Sequence, residues 1–248
     1  MTLPADGVLF IHAFPMDARM WNGQIAAFEG SWPVVAPSLP GFGGTDGPGR
    51  TMAMGAAADR CLQAADELGL ERMIVCGLSM GGYVAFELWR MARQRVAGLV
   101  LANTRSGADA REAADGRRAL ADRLESEGNG FLVEAPPPLL SSDAAPGLWT
   151  QVRETIGDQP ASSIAAAARG MSERKDSTPD LSAIDVPVLI VTSDADTLIA
   201  PEVSLAMGEH IRGAQTVTLA GAGHLSNLEA PGAFDQALGA FLEGFQRV

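Results

Sequence analysis

The sequence is poor in the features that proteins use to bind nucleic acids or membrane surfaces. Of its 248 residues only one is lysine, and 18 basic side chains stand against 30 acidic ones, which gives a formal charge of −12. Nucleic acid binding requires clustered Lys and Arg that displace counterions from phosphates, and a helix on a membrane surface usually has a basic polar face. We therefore expect neither a nucleic acid nor a membrane partner.

Cysteine and histidine are also scarce. There are two cysteines and three histidines, and Cys61 and Cys76 are not part of a Cys-x-x-Cys pair or a Cys/His cluster. This argues against both a disulfide framework and a zinc site. The sequence thus predicts no metal site.

Long apolar runs are missing too. No stretch approaches the roughly 20 apolar residues that a membrane-spanning helix needs. The first residues, Met-Thr-Leu-Pro-Ala-Asp-Gly, lack the basic start and apolar core of a signal peptide. We expect a cytoplasmic protein.

What the sequence does contain is an alternation of short apolar runs with longer segments of helical spacing. Apolar runs of this length are typical of parallel strands that are buried on both faces and joined by crossover helices. The predicted strands are residues 8–12, 33–36, 73–76, 98–102, 186–192 and 216–219. The predicted helices between them are residues 54–68, 80–93, 201–211 and 233–245. The pattern predicts an α/β fold with a doubly wound, mostly parallel sheet.

One interval departs from this alternation. Residues 103–185 contain no convincing buried strand, but they contain helical stretches at 108–127, 149–156 and 161–174. We interpret this interval as a helical cap inserted into a core that consists of residues 1–102 and 186–248.

The sharpest motif is Gly77-Leu78-Ser79-Met80-Gly81, which lies between a predicted strand and a predicted helix. Gly-x-Ser-x-Gly is a weak signal by itself. Its position matters, because a sharp strand-to-helix turn holds its serine in a strained backbone conformation and needs glycines two residues before and after it. The motif predicts Ser79 as a nucleophile.

A serine nucleophile needs a base that takes its proton. His224 lies on a loop after a predicted strand, where it could reach over the strand ends. His210 ends a helix and is expected to interact with the last carbonyls of that helix. His12 ends the first strand, and we expect its side chain to brace the following loop. The predicted base is His224.

The base in turn needs a carboxylate that fixes its tautomer. Asp194 and Asp196 both follow the strand at 186–192. Spacing favours Asp196, which lies far enough into the loop to turn back toward His224, and Asp194 is then a turn residue.

Acyl transfer also requires donors for the negative charge that develops on the carbonyl oxygen. The N–H of Met80, directly after the nucleophile, is one candidate. The second is the N–H of Phe14 in the loop after the first strand, since Pro15 has no N–H.

Together these residues resemble the α/β-hydrolase fold superfamily. Residues 12–15 are similar to its His-Gly-x-Pro segment, residues 40–46 to its Pro-Gly-x-Gly-x-Ser-Asp loop and residues 77–81 to its nucleophile elbow, while Asp196 and His224 fall where the family has its acid and base. The resemblance is greatest to the small-cap branch of 3-oxoadipate enol-lactonase-like proteins and carboxylesterases. It implies a cofactor-independent serine hydrolase that acts on a small carboxylic ester or lactone.

Two departures from the family pattern stand out. Ala13 replaces the usual glycine, and the chain reaches its first strand without the preceding hairpin of its relatives. The second departure predicts a short N-terminal sheet edge that a second copy of the chain could cover as a homodimer.

The substrate is less determined. Arg105 is the expected partner if the substrate carries a carboxylate, although the negative net charge disfavours anions and favours neutral esters. Three other activities stay open: perhydrolysis with a haloperoxidase-like side reaction, carbon–carbon bond hydrolysis, and ligand sensing with a slow triad. The expected apolar lining comprises Phe14, Trp21, Phe131, Leu132, Leu139, Trp149 and Met171.

Overall fold

The computed structural model describes residues 5–245, which form a six-stranded sheet flanked by helices. The strands are β1 (Gly7–Ile11), β2 (Val34–Val35), β3 (Met73–Leu78), β4 (Val96–Ala102), β5 (Val188–Ser193) and β6 (Gln215–Leu219). They follow the order β2-β1-β3-β4-β5-β6, and every neighbouring pair is parallel. The predicted doubly wound parallel sheet is confirmed.

The predicted helices are also found, with ends that differ by a few residues. The helices are α1 (Asn22–Phe28), α2 (Met54–Glu67), α3 (Met80–Met91), α4 (Arg111–Glu127), α5 (Gly130–Glu134), α6 (Pro146–Gly157), α7 (Ala161–Ser172), α8 (Pro201–His210), α9 (Ser226–Glu229) and α10 (Pro231–Glu243). The sequence did not predict α1, α5 and α9, because helices this short form through tertiary packing and show little periodicity of their own.

Burial explains the composition of the central strands. Every residue of β1, β3, β4 and β5 is buried, which is the environment that their Val, Ile and Leu residues predict. In contrast, β6 is mostly exposed. Because all strands are parallel, their carboxyl ends lie along one edge of the sheet, where α/β proteins usually bind ligands.

The N-terminal edge of the sheet is short, as expected. β1 lies between β2 and β3, and the edge strand is β2, which has two half-buried residues. A homodimer that uses this edge remains a prediction.

We call residues 103–185 the cap, and their four helices α4 to α7 lie between β4 and β5 in the chain. The side chain of Gln159, buried in the cap, connects it to two core loops. Its Nε2 donates to Asp17 Oδ2 at 2.8 Å, and its Oε1 accepts from the N–H of Gly43 at 2.9 Å. The cap is thus fixed to the loops that follow β1 and β2.

Candidate active site

Ser79 occupies the turn between β3 and α3 in a conformation that is rare for a residue with a side chain, with φ 54° and ψ −113°. Two glycines make this turn possible. A Cβ on Gly77 would collide with the carbonyl of Gly81, and a Cβ on Gly81 would collide with the carbonyl of Ile11. The N–H of Ser79 donates to the carbonyl of Ala102 at 2.9 Å, which connects the turn to the end of β4.

His224 and Asp196 meet at the same edge of the sheet, in the loops after β6 and β5. His224 Nδ1 and Asp196 Oδ2 are 2.8 Å apart, and only 3% of His224 is exposed. The second carboxylate oxygen of Asp196 accepts the N–H groups of Leu198 and Ile199 at 2.9 and 3.0 Å. With Nδ1–H donating to Asp196, Nε2 of His224 is left as the basic nitrogen.

Burial alone would raise the pKa of Asp196. The hydrogen bond and charge of His224, together with the hydrogen bonds from Ile199 and Asn103, outweigh burial and hold this pKa below its ordinary value. Asp196 therefore stays ionised beside the imidazole. The alternative carboxylate, Asp194, instead accepts the N–H of Gly221 at 2.6 Å, as a turn residue does.

Sequence reasoning missed Asn103, which follows β4 in a left-handed conformation with φ 42° and is completely buried. Its Nδ2 donates to Asp196 Oδ2 at 2.9 Å and lies 2.6 Å from Ser193 Oγ. Its Oδ1 accepts from Ser226 Oγ at 2.6 Å. Asn103 thus connects Asp196 to the loop that carries His224. Its place directly after a buried strand was the one signal in the sequence.

His12 is completely buried and braces two loops near Ser79. Its Nε2 accepts the N–H of Leu39 at 3.0 Å, so the proton is on Nδ1, which donates to the carbonyl of Ala13 at 3.0 Å. Burial lowers the pKa of His12 to about 4. The ring is therefore neutral near pH 7 and has no free nitrogen for proton transfer.

This buried histidine predicts acid sensitivity. Because the pKa of His12 falls from 6.5 to about 4 on folding, the unfolded chain binds the proton first as the pH drops. The neutral His12 ring contributes its full stabilisation of the folded state above pH 6.5. As the pH falls from 6.5 to 4, the free energy of unfolding decreases by about 3 kcal/mol. Urea unfolding at closely spaced pH values measures it. His12→Gln should flatten this slope, whereas His210→Gln, which removes an exposed histidine, should keep it; equal slopes in all three proteins would refute the assignment.

The two expected oxyanion donors lie in the loop after β1 and at the start of α3. Phe14 lines the same cavity as Ser79, and Met80 is the first residue of α3. Within residues 5–245, neither N–H donates to a protein acceptor. Their assignment as oxyanion donors remains a prediction.

A cavity of about 250 Å³ lies between the core and the cap, and both Ser79 and His224 line it. Among the residues expected on its wall, the structure places there Phe14, Arg105, Leu132, Leu139 and Met171. Lining residues that the sequence did not indicate are Pro15, Tyr83, Arg117, Leu120, Pro137, Leu198 and Ile199.

Three expected lining residues lie elsewhere, which corrects the prediction. Trp21 is completely buried in the core, where its ring stacks on Phe10 at 4.9 Å. Phe131 packs under the guanidinium of Arg123, with its ring centroid 3.7 Å away. Trp149 is half-buried and lies 5.8 Å from the guanidinium of Arg153. The packing of each segment turns these three aromatic side chains away from the cavity.

The cationic side of the cavity is built around Asp109, whose side chain is completely buried. It forms ion pairs with Arg105, with Arg117 at 2.5 Å and with Arg174 at 2.9 Å. Burial alone would raise the pKa of Asp109, but Arg117 and Arg174 outweigh it and hold the pKa below its ordinary value. One carboxylate therefore balances only one of three guanidinium charges.

This charge reaches the cavity through Arg105 and Arg117, which both line it. Arg174 is buried behind them, with its guanidinium 4.1 Å from the ring of Tyr83. In the described part of the chain, no second carboxylate pairs with any of the three arginines. The cavity thus has a positive side, although the chain is acidic overall.

Two absences complete the description of the site, both limited to residues 5–245. No group of three or more His, Cys, Asp or Glu side chains is arranged to hold a metal ion. No helix is long and apolar enough to cross a membrane.

Comparisons with known proteins show the family of the chain. The family model described as alpha/beta hydrolase family matches residues 8–237. The 3-oxoadipate enol-lactonase 1 of Acinetobacter baylyi is 29% identical over 98% of this chain and 90% of its own. A pimeloyl-[acyl-carrier protein] methyl ester esterase of Neisseria meningitidis is 27% identical over 96% of this chain and 93% of its own.

Among solved structures, the malate-bound thermophilic esterase of Thermogutta terrifontis is 36% identical, with a TM-score of 0.94 over 99% of this chain and 92% of that one. The match in fold therefore extends through the cap as well as the sheet. Because the family model spans most of the chain and full-length relatives are esterases and an enol-lactonase, the chain is a hydrolytic enzyme that belongs to the alpha/beta hydrolase family.

Proposed function

We propose that the chain is a serine hydrolase that cleaves the ester or lactone bond of a small substrate bearing a carboxylate. The observation that carries the proposal is the composition of one cavity. Its wall includes Ser79, the base His224 with its 2.8 Å hydrogen bond to Asp196, and the cationic side chains of Arg105 and Arg117.

The chemical steps follow from these groups. Nε2 of His224 takes the proton of Ser79 Oγ as this oxygen attacks the carbonyl carbon, and the N–H groups of Phe14 and Met80 stabilise the oxyanion. Asp196 stabilises the imidazolium. His224 then protonates the leaving alcohol, which gives an acyl-enzyme. Water attacks the acyl group in a second round, with His224 again as base, and releases the acid.

The preference for a carboxylate rests on the local charge. Salt screens the net charge of −12 over about 8 Å, whereas the guanidinium groups of Arg105 and Arg117 are at the cavity wall itself. A guanidinium binds a carboxylate through charge-assisted and often bidentate hydrogen bonds. The 3-oxoadipate enol-lactonase relative and the malate-bound esterase, by their names, act on or hold carboxylated molecules.

The size of the cavity favours a small substrate. Its volume of about 250 Å³ is close to the lower end of the range for ligand pockets. The apolar wall formed by Leu132, Leu139 and Ile199 suits a short carbon chain between the reacting carbonyl and the carboxylate.

Two esters of similar size test the charge preference: monomethyl succinate, which ends in a carboxylate, and methyl butyrate, which ends in a methyl group. For Arg117→Gln, we expect kcat/KM for monomethyl succinate to fall about 10- to 100-fold, the value of one hydrogen bond to a charged group. Methyl butyrate should change little. Hydrolysis is followed by titration of the released acid.

Arg123→Gln is the matched control, since Arg123 is on the same helix but packs on Phe131 and pairs with Glu127. This variant should hydrolyse both esters like the unmodified protein. An equal loss for both esters in Arg117→Gln would mean that Arg117 has a structural role and would reject the carboxylate preference.

A further inference from the structure

The loop that carries His224 is bonded on both sides of the histidine. The N–H of Gly223, directly before it, donates to Glu229 Oε2 at 2.9 Å. The N–H of Leu225, directly after it, donates to the carbonyl of Leu139 in the cap at 2.8 Å. Leu139 also lines the cavity. The backbone on each side of the base is therefore held by a defined acceptor.

Glu229 connects this loop to the cap a second time. Its Oε2, which accepts from Gly223, also accepts the N–H of Ser141 at 3.0 Å. Its Oε1 accepts the hydroxyl of Ser141. One half-buried carboxylate thus receives N–H groups from the histidine loop and from the cap.

The two backbones are also in direct contact. A Cβ on Gly223 would collide with the N of Ser141 and with the backbone of Leu140. No side chain separates the histidine loop from the cap here, so a displacement of one backbone is passed to the other.

We infer that Glu229 is a positioning residue that couples cap residues 139–141 to the base His224. Through Glu229, a substrate that contacts Leu139 also fixes the backbone beside the imidazole. Substrate binding under the cap therefore also aligns the base His224. This inference rests on the proposed function, since it takes His224 as the base. Alignment matters because a displacement of about 1 Å in an active site can cost 10²-fold in rate.

Two substitutions of Glu229 distinguish the effect of its hydrogen bonds from the effect of its negative charge. In Glu229→Gln, the amide oxygen can accept both N–H groups and the amide nitrogen can donate to Ser141 Oγ, so we expect kcat within about threefold of the unmodified protein. Glu229→Ala leaves the N–H groups of Gly223 and Ser141 without an acceptor. We expect kcat for methyl butyrate to fall about 10- to 100-fold, with little change in KM. Glu243→Ala, at an exposed position of α10, is the control.

Two further readouts distinguish positioning from a general loss of structure. In Glu229→Ala, the pH profile of kcat/KM should shift, because the base no longer has a fixed environment. Amide hydrogen exchange should become faster at Gly223, Leu225 and residues 139–141, while β3 and β4 keep their protection.

Unchanged kcat and unchanged exchange in Glu229→Ala would overturn the inference, and so would a loss of protection that spreads through the whole sheet. The exchange experiment does not depend on turnover. If the unmodified protein hydrolyses no ester but Glu229→Ala still loosens these two segments, the proposed function fails while the coupling between cap and loop holds.

Discussion

Replacing Ser79 with alanine is expected to lower kcat for p-nitrophenyl acetate by about 10⁴-fold or more, because the members of a triad act as a unit and loss of the nucleophile removes the covalent step. The residual rate should come from binding and from oxyanion stabilisation alone. The release of p-nitrophenolate measures the effect, and Ser126→Ala, which removes an exposed hydroxyl on α4, is the control.

Covalent labelling gives an independent readout. A fluorophosphonate should add one phosphonyl group to the unmodified protein, located at Ser79 by peptide mass spectrometry, and should add none to Ser79→Ala. If Ser79→Ala retains more than about a tenth of the activity, Ser79 is not the nucleophile and the proposed mechanism fails.

Asp196→Asn is expected to lower kcat by about 10³- to 10⁴-fold, the size of the effect when the acid of a Ser-His-Asp triad is replaced by its amide. An amide in this position lacks the negative charge that stabilises the imidazolium. Asn103 already donates to the same oxygen that His224 binds. If the new asparagine keeps its amide oxygen toward Asn103 and His224, both hydrogen bonds form but the negative charge is lost. If the amide flips, its own N–H groups face the N–H groups of Asn103 and His224.

Asp194→Asn is the matched control, because Asp194 lies in the same loop and accepts a turn N–H from Gly221. It should keep kcat within a few-fold, since an amide oxygen can accept that N–H as well. Measuring kcat of both variants from pH 6 to pH 9 tests the assignment. The opposite ranking, with Asp194→Asn the impaired enzyme, would transfer the role of the acid to Asp194.

The cap shows where prediction from the sequence fails. Helical spacing placed α4, α6 and α7 correctly, since their periodicity is a local property. The spacing did not tell which side chains face the cavity. Phe131 and Leu132 are adjacent on α5, yet only Leu132 lines the cavity, because the packing of α5 on its neighbours sets its rotation.

The charge of the cavity also could not be predicted from the sequence. The net charge of −12 disfavours an anionic substrate, but the fold brings Arg105, Arg117 and Arg174 together around the single carboxylate of Asp109. These four residues are spread over 70 positions of the chain, from 105 to 174. The net charge of a sequence does not indicate which charged side chains become neighbours in the fold.

The sequence by itself determined the parallel sheet, the family and the residue types of the candidate active site. It could do so because strand burial, helical spacing and the steric need for glycine around Ser79 are local constraints that a short segment meets alone. Only the tertiary structure brought Asp196 against His224, Asn103 against Asp196, and Glu229 against Ser141 of the cap. These contacts join segments far apart in the chain, and their geometry depends on the packing of the whole fold.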